Sequence, residues 1–73
     1  MLYFLRRGTE RRICETRLRA DAPGYELVIT DGDARHVEVF EELAQMLARE
    51  HELVQAWRAQ GWQEEAGPRG KRG

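Results

Sequence analysis

The stretch Tyr25-Glu26-Leu27-Val28-Ile29-Thr30-Asp31-Gly32-Asp33-Ala34-Arg35-His36-Val37-Glu38-Val39-Phe40 decides the fold. Two runs rich in β-branched and aromatic residues flank an Asp-Gly pair, the strongest short-range hairpin signal. The stretch therefore reads as two antiparallel strands, 25–30 and 35–40, joined by a tight turn at 31–34. Alternation places Tyr25, Leu27 and Ile29 on one face, and Val37 and Val39 are expected to join them as the floor for a packed element. Glu26, Val28 and Thr30, with His36 and Glu38, are expected on the opposite face.

Upstream, Leu2 to Arg7 is rich in aromatic and aliphatic residues and stops at Gly8-Thr9-Glu10. Arg11 to Ala20 resumes with Ile13, Cys14, Thr16 and Leu18, so two more strands joined by a short turn precede the hairpin. Asp21-Ala22-Pro23-Gly24 punctuates the passage between the two pairs. In the second strand Cys14, Thr16 and Leu18 are expected to point inward, leaving Ile13, Glu15, Arg17 and Arg19 outward. In the first strand Leu2/Phe4 and Tyr3/Leu5 are both apolar, and a strand with two apolar faces calls for burial on both sides.

Downstream of Phe40 the period changes to that of a helix. Leu43, Met46, Leu47, Val54 and Trp57 fall within an arc of about 100°, with Leu53 at its edge, so an amphipathic helix is expected over 41–60. Glu41 and Glu42 would sit in its first turn, and Gly61 would supply the left-handed residue of a Schellman ending that packs Trp62 back on Trp57. Glu50 falls at the centre of the apolar stripe, where a buried carboxylate needs a structural partner, an arginine or a sheet hydrogen bond. The expected fold class is α+β: a four-stranded antiparallel meander (ββββα) with one C-terminal helix packed on one face. The domain is expected over 1–62, followed by a disordered Gly/Pro/basic tail over 63–73.

The chain has 73 residues, 41% hydrophobic and 34% charged, which suits one small soluble domain and leaves no room for two cores. One cysteine permits no internal disulfide, and Cys14, His36 and His51 have no zinc-ligand spacing. The apolar run in MLYFLRRG is too short for a signal peptide or membrane span, so a cytoplasmic location is expected. Eleven of the twelve basic residues are arginine, a usage that fits a GC-rich bacterial genome. The net charge of −1 divides unevenly: +4 over residues 1–20, −8 over 21–65 and +3 over the tail. Such a chain can bind a polyanion locally or pair with a second copy of itself.

Chemistry-bearing residues are few. There is no serine and no Gly-rich phosphate loop, and nothing ties His36, His51 and Cys14 together. The expectation is a non-enzymatic protein with no cofactor, no metal and no small-molecule substrate. The densest feature is the first hairpin, where Arg6, Arg7, Arg11, Arg12, Arg17 and Arg19 interleave with Tyr3, Phe4 and Ile13. Arginine beside aromatics on a sheet holds single-stranded nucleic acid by stacking bases and pairing phosphates. The candidate binding set for single-stranded DNA or RNA is Tyr3, Phe4, Arg7, Arg11, Arg17 and Arg19. The alternative is a homodimeric protein-interaction module whose arginines pair with the acids of the middle strands.

The order strand, strand, strand, strand, helix over residues 1–60 resembles the unit of the Whirly and Pur-alpha type single-stranded nucleic-acid-binding proteins. That resemblance is one of topology and implies paired units and a nucleic-acid-binding sheet. Here Glu15, Glu26 and Glu38 put acid on the candidate face, where that family is basic, and no residue role is carried over. A homodimer is expected through the remaining apolar sheet surface or the edge of the first strand.

Overall fold

The computed structural model describes residues 2–65. In chain order these form β1 (Leu2–Arg7), β2 (Glu10–Leu18), β3 (Tyr25–Asp31), β4 (Ala34–Phe40), α1 (Leu43–Ala59) and β5 (Gln63–Glu65). Every pairing is antiparallel, and the spatial order is β4-β3-β2-β1-β5. The α+β class, the four-strand meander and the helix across one face are as the sequence leads one to expect. A fifth strand is added: Gln63–Glu65 run along β1, with Leu5 opposite Glu64. Gln-Glu-Glu has little intrinsic strand preference, so position creates this strand, not composition. The ordered chain thus passes the expected end at residue 62, the outer edge of β1 is occupied, and 66–73 of the expected tail lie outside the described residues.

The two hairpin turns lie at one end of the sheet, and the β2–β3 loop lies at the other. In that loop Gly24 has φ +115 and donates no side chain to a crowded spot, where a Cβ would lie 2.8 Å from the Phe40 carbonyl oxygen. Its own carbonyl accepts the Arg19 N–H at 3.1 Å.

The face that β4 presents differs from expectation. A two-residue turn pairs Asp31 with Ala34, so odd-numbered residues of β3 face even-numbered residues of β4. Ile29 stands opposite His36, and Val28 opposite Val37. Paired residues share a face. His36, Glu38 and Phe40 therefore lie on the helix side with Tyr25, Leu27 and Ile29. Val37 and Val39 lie on the other side with Val28, 43% and 53% exposed. The first strand resolves as Tyr3 and Leu5 inward, Leu2 and Phe4 outward.

The helix is shorter than its expected span by two residues at the start and one at the end. Glu42 is extended (φ −124, ψ 142) and caps the helix without a side-chain bond, so neither Glu41 nor Glu42 lies in the first turn. Glu41 and Glu42 carry the chain from the sheet to the layer above it. At the other end the Schellman ending is present: Trp62 N–H donates to Trp57 O at 3.0 Å and Gly61 N–H to Arg58 O at 3.1 Å, with Gly61 at φ +98.

The core lies between helix and sheet. Leu5, Cys14, Leu27, Met46, Val54, Trp57 and Trp62 form one buried cluster, edged by Tyr3, Tyr25, Ile29, Phe40 and Leu53. The helix residues that are buried are Met46, Glu50, Val54 and Trp57. Leu43 and Leu47, expected in the stripe, flank it instead and line a groove with Leu18 and Tyr25. Among the described residues no helix is long and apolar enough to cross a membrane.

Candidate functional site

The six residues expected to grip nucleic acid do not share a face. Tyr3 and Arg7 lie on the helix side of the sheet, whereas Phe4, Arg11 and Arg17 lie on the open side. Arg19 sits beyond the end of β2, with its Nε buried and without a hydrogen bond. Alternation across a strand separates neighbours in sequence, which is why a dense cluster in the sequence divides in space.

Most of the hairpin arginines already have partners. Arg7 donates to Glu10 Oε1 at 3.0 and 3.2 Å and to the Gln60 carbonyl at 3.3 Å, and its guanidinium lies 4.9 Å from the Trp62 ring centre. Arg17 pairs with Glu26 at 3.0 Å and approaches Glu15 at 3.7 Å. Arg6 pairs with Glu65 at 3.0 Å. Arg12, which the sequence groups with these basic residues, is structural. Its guanidinium stands 4.2 Å from the Trp62 ring centre and 5.0 Å from that of Trp57, and bonds Asp31 at 2.9 Å. One planar cation between two indoles joins the sheet to both ends of the helix's C-terminal turn. Arg11 and Arg35 make no ion pair among the described residues.

Beneath the helix lies a small group of titratable side chains. Glu50 is 4% exposed, and its Oε2 has no hydrogen-bond partner among the described residues, so the expected arginine or sheet partner for that oxygen is missing. Burial holds its carboxyl above the usual carboxylate range. Burial and the nearby Glu50 push the Cys14 thiol up to about 11, and the same two causes raise the Tyr3 phenol. A thiol so placed is a poor nucleophile. On β4, Glu38 is held below its ordinary value chiefly by its bond from Arg49, at 3.0 and 3.2 Å, and it also meets His36 at 3.1 Å. Arg49 is raised in turn by Glu38 and by Glu52. His51 stands apart on an exposed position of α1. No group of three or more His, Cys, Asp or Glu suited to a metal ion occurs among the described residues.

The larger feature is the sheet face that α1 leaves uncovered. Register carries an apolar band diagonally across it: Leu2 and Phe4 on β1, Ile13 on β2, Val28 on β3, Val37 and Val39 on β4. Val28, at the centre, is buried by its own neighbours, while Leu2, Val37 and Val39 are 43–53% exposed. Charge on this face is polarised along the strands. The turn end carries Arg6, Arg11 and Arg35 against Glu65, and the opposite end carries Glu15 and Glu26 against Arg17. The sequence concealed this surface because Val37 and Val39 read as floor for the helix. The parity imposed by the two-residue turn is the signal that would have revealed it.

No protein-family model, curated protein or solved structure matches the chain.

Proposed function

We propose that the chain is a non-enzymatic, cytoplasmic protein-interaction module that self-associates through the helix-free face of its sheet. The observation that carries this reading is the diagonal band from Leu2 to Val39, a continuous apolar stripe with no element across it among the described residues. A band of this kind on a small domain marks an interaction site. The polarised charge favours a second copy as the occupant. A two-fold axis lying between two such faces, across the strands, sets the basic turn end of each against the acidic end of the other, while the apolar bands meet in the middle. Arg17 and Arg6 bring their own counter-charges into the contact, so they are not buried alone.

Single-stranded nucleic acid is the second reading, favoured by one observation: Arg11 and Arg35 make no ion pair among the described residues and flank Ile13 and Thr30 on the same face. The two readings separate in solution. Sedimentation over a wide concentration range is expected to show self-association that Phe4→Glu weakens by removing the face-to-face contact, with little effect of a labelled single-stranded oligonucleotide at low salt. Strongly salt-dependent oligonucleotide binding by a protein that stays monomeric would favour the second reading and overturn the first.

A further inference from the structure

We infer that the free edge of β4 is a second self-association surface, which pairs antiparallel with β4 of another copy about a two-fold axis at Val37. This edge is distinct from the face proposed above and stands or falls separately.

β4 ends the sheet, and its seven residues contain no proline, glycine or bulge to blunt it. The two-residue turn fixes which of its backbone groups are free. Because Asp31 and Ala34 flank that turn as a hydrogen-bonded pair, Ala34, His36, Glu38 and Phe40 direct their N–H and C=O groups to β3. The N–H and C=O groups of Arg35, Val37 and Val39 point outward and have no strand beside them among the described residues. Only a register that sets these three against their counterparts satisfies the edge.

With the axis at Val37, Arg35 faces the partner's Val39, Val37 faces the partner's Val37, and Val39 faces the partner's Arg35. All three outward residues then sit in hydrogen-bonded pairs. An axis at His36 or Glu38 loses one of these pairs and sets two imidazoles or two carboxylates against each other. An axis at Arg35 or Val39 leaves a single pair. The side chains agree with the first choice. On the helix side His36 faces the partner's Glu38 at each end, and an imidazole and a carboxylate already meet at 3.1 Å within this strand. Phe40 faces the partner's Ala34, large against small. On the open side Val28 and Val37 continue into the partner's Val37 and Val28, so the apolar band runs unbroken across the joint.

The full chain is tested by sedimentation together with amide hydrogen exchange at rising concentration. The expected result is protection of the Arg35, Val37 and Val39 amides as copies associate, a change that contact between sheet faces does not require. Val37→Pro removes one outward N–H at an edge position, where proline is tolerated. His36→Glu, on the helix side, faces the partner's Glu38 with like charge and leaves the open face untouched. Each is expected to weaken the edge contact about tenfold or more, while Phe4→Glu leaves it intact. Association that keeps its strength in both β4 variants and is lost in Phe4→Glu overturns the edge pairing and upholds the face. Association that survives Phe4→Glu and fails in the β4 variants does the reverse. A wild-type chain that stays monomeric throughout overturns both.

Discussion

Replacing Glu50 is expected to make the protein more stable, not less. The side chain is 4% exposed beneath α1, between the buried Met46 and Val54, and its Oε2 has no hydrogen-bond partner among the described residues. Leaving a buried polar oxygen unsatisfied costs about 1–3 kcal/mol. A leucine in its place removes that cost and contributes about 1.5–3 kcal/mol of apolar burial, against about 1–3 kcal/mol of packing mismatch. The net expectation for Glu50→Leu near neutral pH is a gain of about 2 kcal/mol. For a domain of this size that is a rise in Tm of roughly 8–16 °C, at about 4–8 °C per kcal/mol. Glu50→Gln removes the charge and keeps the polar atoms, so its gain is about 1 kcal/mol.

The pH dependence has a definite sign. Burial raises the folded-state pKa of Glu50 above its unfolded value. Between those two values the folded chain holds a proton that the unfolded chain has released, so wild-type stability declines as pH rises through that window. Glu38, whose pKa is lowered, has the opposite slope and loses its contribution as pH falls. The difference between wild type and the leucine variant isolates Glu50. Urea or thermal unfolding at fixed protein concentration, near pH 4.5 and near pH 8, should show the variant's advantage growing toward the higher pH. A leucine variant less stable than wild type near pH 8, or an advantage that does not change with pH, would refute the reasoning.

Two further outcomes follow from the core. Arg12→Lys keeps the charge and loses the plane that lies between Trp57 and Trp62, so it should cost about 1–2 kcal/mol and shift the tryptophan emission; unfolding curves that superimpose on wild type would contradict that role. Cys14 is fully buried with its thiol pushed up to about 11. A thiol reagent near pH 8 should therefore modify it only through transient opening, and a native rate equal to that in denaturant would contradict the packing.

How far the fold could be read ahead varied with the range of the interaction. The β3–β4 hairpin and the ending at Gly61 and Trp62 are local features, fixed by Asp31-Gly32 and by one left-handed residue, and both are where the sequence puts them. The face of β4 was missed although it too is local, because turn length sets parity and alternation within a strand does not. β5 was illegible for a deeper reason: its strand character comes from β1, on the far side of the sequence. The arginines of the first hairpin read in sequence as one basic patch, but the fold gives Arg6, Arg7, Arg12 and Arg17 the partners Glu65, Glu10, Asp31 and Glu26, and sets Arg12 against two indoles. Glu50 was visible as an acid within an apolar stripe, whereas the missing partner of its Oε2 is a property of the packed layers alone.

The pairing of β5 with β1 also sets an order of assembly. The strands β1 to β4 can zip as successive hairpins, each closing a short loop, but the pairing of Glu65 with Phe4 closes a loop that holds the other three strands, the helix and its terminal turn. Among the pairings of the described residues that closure spans the longest loop, and three residues of ladder reward it. β5 should therefore be the last element to dock and the first to detach, so that β1 passes through an uncovered state whenever the sheet is completed or begins to open.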